Sequence, residues 1–142
     1  FAFDMLLGAS VPTADPTNRY VYSFVLDADG DTSNNYVAPA NYPKDFYDNT
    51  DRWYEAIYAP NTGWALTAKD AHGPKPTPAA TSARMVIKDN AMMLIVPKGE
   101  ISAPNPKWRA TSFRHKGDYG LQPPYDWSGD VVPPVGQLSD TP

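Results

Sequence analysis

The stretch YVYSFVLDADGD, residues 20–31, decides the fold of this chain. Its first half is β-branched and aromatic, which suits a buried β-strand. Its second half places carboxylates at Asp27, Asp29 and Asp31, around Gly30. A strand that ends in such a turn concentrates negative charge at the rim of a sheet, and that charge requires a cation, basic neighbours or free hydration.

Composition narrows the class of protein. A chain of 142 residues with 42% hydrophobic and 13% aromatic residues can build a two-layer core and is not a disordered chain. Its 16 prolines and 9 glycines favour strands joined by irregular loops. The net charge of −4 argues against nucleic acid and anionic membrane surfaces as partners. Because no segment approaches about 20 uninterrupted apolar residues, we expect no membrane insertion.

The remaining chain reads as strands joined by turns. Apolar and alternating segments predict strands at 1–7, 19–27 and 108–115, a hairpin of 51–59 with 64–70 around the turn PNTG, and a hairpin of 83–88 with 91–96. The second hairpin is apolar at most positions, so we expect it to be covered on both faces. Long proline-rich loops are predicted at 28–50 and 71–82, and one helical turn at 97–101.

These segments predict an all-β fold, an antiparallel β-sandwich or jelly roll of about seven or eight strands. Residues 117–142 show almost no periodicity, so we expect an extended C-terminal tail that packs by its aromatic rings rather than by sheet pairing. Residues 1–142 are predicted to form a single domain. Because the sequence begins at Phe1 without an initiator methionine, we expect this domain to be part of a longer protein.

The acidic turn predicts a metal site. Asp27, Asp29, Asp31 and Asn34 are the predicted ligands, with Asn35 just behind them. All offer oxygen from one loop, and calcium takes six to eight oxygens. The turn is not an EF-hand, because Ala38 stands where a carboxylate would be needed. The alternative is a solvated turn whose carboxylates accept backbone hydrogen bonds. We predict calcium, since a loop of this length usually has a function or is held by a ligand.

Aromatic residues near the first hairpin predict a sugar-binding face. Trp and Tyr rings stack on the C–H faces of sugars, and the candidates are Tyr42, Tyr47, Trp53 and Trp64. Trp53 and Trp64 flank the turn and are expected to be neighbours on one face. The alternative is that these rings fill the core and the bases of the loops.

Other chemistry has less support. A zinc site would need third and fourth ligands, which two distant histidines, His72 and His115, do not supply. Met5 and His115 could be offered to a haem, but the surrounding tail is polar where a haem pocket is apolar. The chain has no G-x-S-x-G motif and no Gly-rich phosphate loop, so we predict that it is not an enzyme.

The order of segments is similar to that of a known family. The hairpins are followed by a strand ending in VP at 96–97, a short turn reaching Ile101, WRATSF at 108–113 and a tail with DWSGD at 126–130 and PP at 133–134. With FVLDADGD at 24–31, this layout resembles the DOMON-type β-sandwiches, which include family nine carbohydrate-binding modules and the C-terminal modules of glucodextranase-like enzymes. The resemblance implies an extracytoplasmic module that binds a sugar or, in other branches, a haem.

The sequence therefore predicts a non-catalytic, calcium-stabilised carbohydrate-binding module of an exported protein, located outside the cell, at its surface or in the periplasm. Its expected partner is a polysaccharide or oligosaccharide. The alternative is a structural subunit or interaction domain of a surface layer, filament or larger complex, because a long aromatic tail is costly to order unless something covers it. A third alternative is a haem-binding electron-transfer subunit.

Overall fold

The computed structural model describes residues 1–38, 47–116 and 135–138. Its strands are β1 Ala2–Leu6, β2 Asn18–Asp27, β3 Arg52–Ala59, β4 Gly63–Asp70, β5 Thr77–Ala79, β6 Arg84–Lys88, β7 Ala91–Ile95, β8 Lys107–Lys116 and β9 Val135–Leu138. A 3₁₀ turn spans Lys98–Glu100. The predicted all-β class is confirmed. Within the described ranges, no helix has the length and apolar character needed to cross a membrane.

The strands form two antiparallel sheets. The smaller sheet has the order β1-β7-β6, and the larger has the order β5-β4-β3-β2-β8-β9. Strand β2 lies inside the larger sheet, where it pairs with β3 on one side and with β8 on the other. The stretch that decides the fold is therefore its central strand, as its apolar sequence predicts.

The main core lies between the two sheets. From β2, alternate residues Tyr22, Phe24 and Leu26 point into it, as the two-residue period of a strand requires. The smaller sheet contributes Phe3, Met5, Met92 and Leu94. The ring of Phe3 meets that of Trp108 edge-on at 5.1 Å, which joins β1 to β8 across the sandwich.

A second apolar cluster lies on the other face of the larger sheet. Its buried members are Val25, Tyr36, Ala38, Tyr47, Trp53 and Ala71. Residues from the loop after β2 thus pack onto strands β2 and β3. The loop is also tied by its backbone, because the N–H of Tyr36 donates to the carbonyl of Thr50 at 2.9 Å.

Three local expectations were wrong. A short strand, β5, lies inside the predicted loop 71–82, and β9 pairs with β8 where we expected a tail without sheet pairing. The second hairpin is not covered on both faces, because exposed and half-buried residues alternate along β6 and Val86 is 37% exposed. Its sheet packs on the core through one face.

Candidate metal centre

Three segments of the chain bring a cluster of potential metal ligands together at one end of the larger sheet. Asp29 follows β2, Asp51 precedes β3 and His72 follows β4. One potential ligand atom from each lies within 4.8 Å of the other two. Nε2 of His72 is 3.5 Å from Oδ2 of Asp29 and 3.7 Å from Oδ2 of Asp51.

Strand register places these residues. Strands β3 and β4 pair Arg52 with Asp70, and just beyond that pair the N–H of Ala71 donates to the carbonyl of Asp51 at 2.7 Å. His72 is the next residue, and it forms an isolated antiparallel bridge with Asn35. The long loop is therefore held against the end of the hairpin at this point.

Asp51 is the buried member of the cluster, at 1% exposure. Its Oδ1 accepts the N–H of Ala28 at 2.7 Å, and its Oδ2 accepts that of Asp29 at 3.2 Å. Burial raises the pKa of Asp51 and outweighs the opposing hydrogen bond from Ala28. A buried carboxylate in its ionised form is stabilised by a nearby positive charge.

Asp29 is the carboxylate on the outer side. Its Oδ2 accepts a hydrogen bond from the Nδ2 amide of Asn34 at 2.8 Å, and its Oδ1 accepts the N–H of Asp31 at 2.7 Å. These hydrogen bonds, the one from Asn34 foremost, lower the pKa of Asp29. The side chain is therefore ionised over the neutral pH range and can act as a ligand.

His72 is oriented by a third carboxylate. Its Nδ1 lies 2.7 Å from Oδ1 of Asp70, which also accepts the backbone N–H of His72 at 3.0 Å. The side-chain hydrogen bond to Asp70 is the main cause of a raised pKa at His72. The backbone hydrogen bond in turn lowers the pKa of Asp70.

Two side-chain amides beside the cluster are incompletely bonded. Asn35 is 6% exposed, and neither its Nδ2 nor its Oδ1 has a hydrogen-bond partner among the described residues. Oδ1 of Asn34 is likewise buried without a partner in that part of the chain. Because unsatisfied buried polar groups are costly, these amide atoms are available to bond water or a ligand.

The predicted metal residues are only partly brought together. Asp29 and Asn34 lie at the cluster. Asp27 and Asp31 are not among the donors that lie within 4.8 Å of one another. Oδ1 of Asp27 accepts the N–H of Gly30 at 2.9 Å, and Oδ1 of Asp31 accepts the N–H of Ser33 at 2.9 Å. These two carboxylates support the backbone of their own turn.

Sequence reasoning missed Asp51 and His72 as partners. The predicted first hairpin could have revealed them. Extending its pairing outward from the PNTG turn places Asp51 opposite Ala71, and therefore near His72. The sequence also led us to disfavour zinc, because the two distant histidines do not supply a third and a fourth ligand. The further donors next to His72 are carboxylates instead.

The aromatic residues predicted to bind a sugar do not form an exposed face on the first hairpin. Trp53 and Tyr47 are 3% and 4% exposed, and their rings pack together at 4.6 Å. Trp64 pairs with Tyr58, five positions along β3 from Trp53, and an odd separation puts side chains on opposite faces. The expectation that Trp53 and Trp64 are neighbours on one face was wrong. Tyr42 lies outside the described residues.

An open cavity of about 620 Å³ adjoins the cluster. It is lined by Ser33, Asn34, Asn35, Val37, His72, Gly73 and Pro74.

Comparison of the chain with protein-family models, with curated proteins and with solved structures found no match. The resemblance to DOMON-type modules therefore stays a prediction.

Proposed function

We propose that this chain is a non-catalytic, metal-stabilised carbohydrate-binding module of an exported protein. In it, a divalent cation held by Asp29, Asp51 and His72 fixes the loop after β2, and a polysaccharide or oligosaccharide binds in the adjoining cavity. The observation that carries the proposal is the convergence of these donors from three segments within 4.8 Å.

The cation would act by ordering the loop in advance. Residues 28–38 run past the ends of β3 and β4, and a metal that joins Asp29 to Asp51 and His72 crosslinks the loop to both strands. A ligand that meets an ordered loop loses less entropy on binding. The cation would also neutralise the carboxylate of Asp51, which burial disfavours in its ionised form.

The cavity suits a hydroxyl-rich ligand. Ser33, Asn34 and Asn35 line it and offer hydroxyl and amide groups, which donate and accept hydrogen bonds. Val37, 71% exposed, and Pro74 supply apolar contact for the C–H face of a sugar ring. In the proposed mode of binding, this cavity takes the place of the rings of Tyr47 and Trp53, which are buried.

A matched pair of substitutions tests the carbohydrate proposal. Val37→Lys blocks the rim of the cavity without replacing a metal donor, and Val86→Lys makes the same change at an exposed site on the smaller sheet. Calorimetric titration with a panel of soluble polysaccharides and oligosaccharides should detect binding that V37K weakens and V86K preserves. If no member binds, or if V37K binds like the unmodified chain, the carbohydrate proposal is wrong.

The alternative of a structural subunit is favoured by a different surface. On the outer side of the smaller sheet, Leu6 is 73% and Val86 is 37% exposed, so these apolar side chains are available to a neighbouring molecule. Sedimentation velocity of the chain and of its Leu6→Lys variant would test this candidate. Self-association that L6K abolishes would favour it over the carbohydrate-binding module.

A further inference from the structure

The donors at the candidate metal centre differ in kind from a calcium site. Calcium takes six to eight oxygen ligands, whereas imidazole nitrogen suits zinc, copper, iron and nickel. The cluster supplies one imidazole nitrogen and two carboxylates. Of the four residues predicted to bind calcium, Asp29 is the one that belongs to this cluster of three.

The contact between Asp70 and His72 prepares the imidazole for a metal. Nδ1 lies 2.7 Å from the carboxylate of Asp70, so this nitrogen carries the proton in the neutral ring. The lone pair of Nε2 is then directed at Asp29 and Asp51. A histidine that donates its other N–H to a carboxylate is the usual arrangement around protein-bound zinc, because it fixes the tautomer and raises the basicity of the ligand.

The separations fit a four-coordinate ion. With metal–ligand bonds of about 2.0–2.1 Å, the corners of a tetrahedron lie roughly 3.3–3.4 Å apart. Nε2 of His72 lies 3.5 Å and 3.7 Å from the two carboxylate oxygens. Around such an ion, each of these two separations would shorten by only a few tenths of an ångström.

Asn35 provides the independent sign that a ligand belongs here. It lies directly opposite His72 in the antiparallel bridge, and directly opposed residues present their side chains to the same face. The Asn35 side chain is 6% exposed, and both amide atoms lack partners in the described part of the chain. An amide oxygen is a possible metal ligand, and this one has no other partner in the described part of the chain.

We propose that Asp29, Asp51, His72 and Asn35 form a binding site for a transition-metal cation of the zinc class rather than for calcium. This inference rests on the proposed function, in which a divalent cation binds at Asp29, Asp51 and His72. It adds the chemical class of that cation. Asp70 is a positioning residue in this site, acting through the imidazole of His72.

Metal titration of the EDTA-treated chain tests the class of cation. Competition with a chelating dye should show Zn²⁺ binding one equivalent roughly 100-fold or more tightly than Ca²⁺. Co²⁺ should give the intense visible absorption of a four-coordinate ion. Asp70→Asn should weaken Zn²⁺ binding by about 10–100-fold and alter the Co²⁺ spectrum.

Two matched variants supply the control. His72→Gln changes a half-exposed side chain and should abolish the Co²⁺ spectrum while circular dichroism confirms the fold. His115→Gln changes the other histidine of the chain and should bind metal like the unmodified protein. If H72Q retains the spectrum, or if H115Q loses it equally, binding is adventitious and the proposed site is wrong.

The outcomes separate this inference from the proposed function. If Ca²⁺ binds tightly and Zn²⁺ does not, the zinc-class assignment is overturned while a metal-stabilised module stands. If neither ion binds, both fail. If Zn²⁺ binds as predicted but no carbohydrate does, the metal site stands and the carbohydrate proposal fails.

Discussion

Nε2 of His72 lies 3.7 Å from Oδ2 of Asp51, a carboxylate at 1% exposure. The two residues meet because the β3–β4 hairpin pairs Arg52 with Asp70, so that the next residues along both strands remain side by side. A polar contact at the end of a sheet is thus set by the turn at the other end. The loop after β2 then adds Asp29 to the same point.

Replacing Trp53 should destabilise the fold. Trp53 is 3% exposed, and its Nε1 donates to Oγ1 of Thr50 at 2.7 Å. Trp53→Ala removes the ring against which Tyr36 and Tyr47 pack, so we expect a loss of about 3–5 kcal/mol in unfolding free energy by urea denaturation. A W53A variant that kept its stability but lost carbohydrate binding would show instead that Trp53 is a sugar platform.

Gly30 should resist replacement by a residue with a side chain. Its φ is +82°, in the left-handed region, and an added Cβ would meet only Cβ of Ala103, at 3.7 Å, among the described atoms. Gly30→Ala should therefore cost about 1–2 kcal/mol from backbone strain rather than from a clash. Gly99→Ala is the control. An added Cβ at Gly99 would meet no described heavy atom within 4 Å, and the backbone there is not left-handed, so this change should be close to neutral in thermal unfolding.

Glu100 should make part of the stability depend on acid pH. Burial raises the pKa of its carboxyl, but hydrogen bonds from Ser82, Thr81, Arg52 and Tyr54 outweigh this effect and lower the pKa below 4.5. The folded state therefore binds the Glu100 proton less tightly than the unfolded state does. The stabilisation of the fold by ionised Glu100 is complete above pH 4.5 and is lost as pH falls through the lowered pKa.

The variant Glu100→Gln checks this dependence. Urea denaturation of E100Q between about pH 6 and pH 2 should show a flatter decline in unfolding free energy than that of the unmodified chain. Parallel declines in the two proteins would mean that Glu100 does not contribute to the acid sensitivity.

Much of the fold could be predicted from local pattern. The apolar run at 19–27 and the turn PNTG predicted the bounds of β2, β3 and β4 to within a residue or two. This was possible because residue alternation and turn-forming residues depend on short stretches of sequence. Strand β5 was missed, since a short pairing with β4 overrides the turn-forming composition of TPA. Strand β9 pairs with a distant strand, which no local period reports.

The candidate site was predicted less well than the fold. Acidic spacing identified the correct turn through Asp29 and Asn34, but spacing along the chain does not reveal which oxygens the backbone uses. Asp27 and Asp31 accept N–H groups of their own turn, whereas Asp51 and His72 lie just outside the ends of β3 and β4. The prediction that Trp53 and Trp64 share a face was wrong for a related reason. Trp64 pairs with Tyr58, and the two Trp side chains would share a face of the sheet only if Tyr58 lay an even number of positions along β3 from Trp53.

Thermal unfolding of the purified chain, with and without excess EDTA and after metal add-back, tests the cation clamp most directly. A cation that binds only the folded state, at about 100 times its dissociation constant, adds roughly 2.7 kcal/mol. We predict that EDTA lowers the midpoint by roughly 5–15 °C, that add-back restores it, and that His72→Gln abolishes the shift. A midpoint unmoved by EDTA, Zn²⁺ and Ca²⁺ would contradict the clamp and leave a protonated His72 as the cation that faces Asp29 and Asp51.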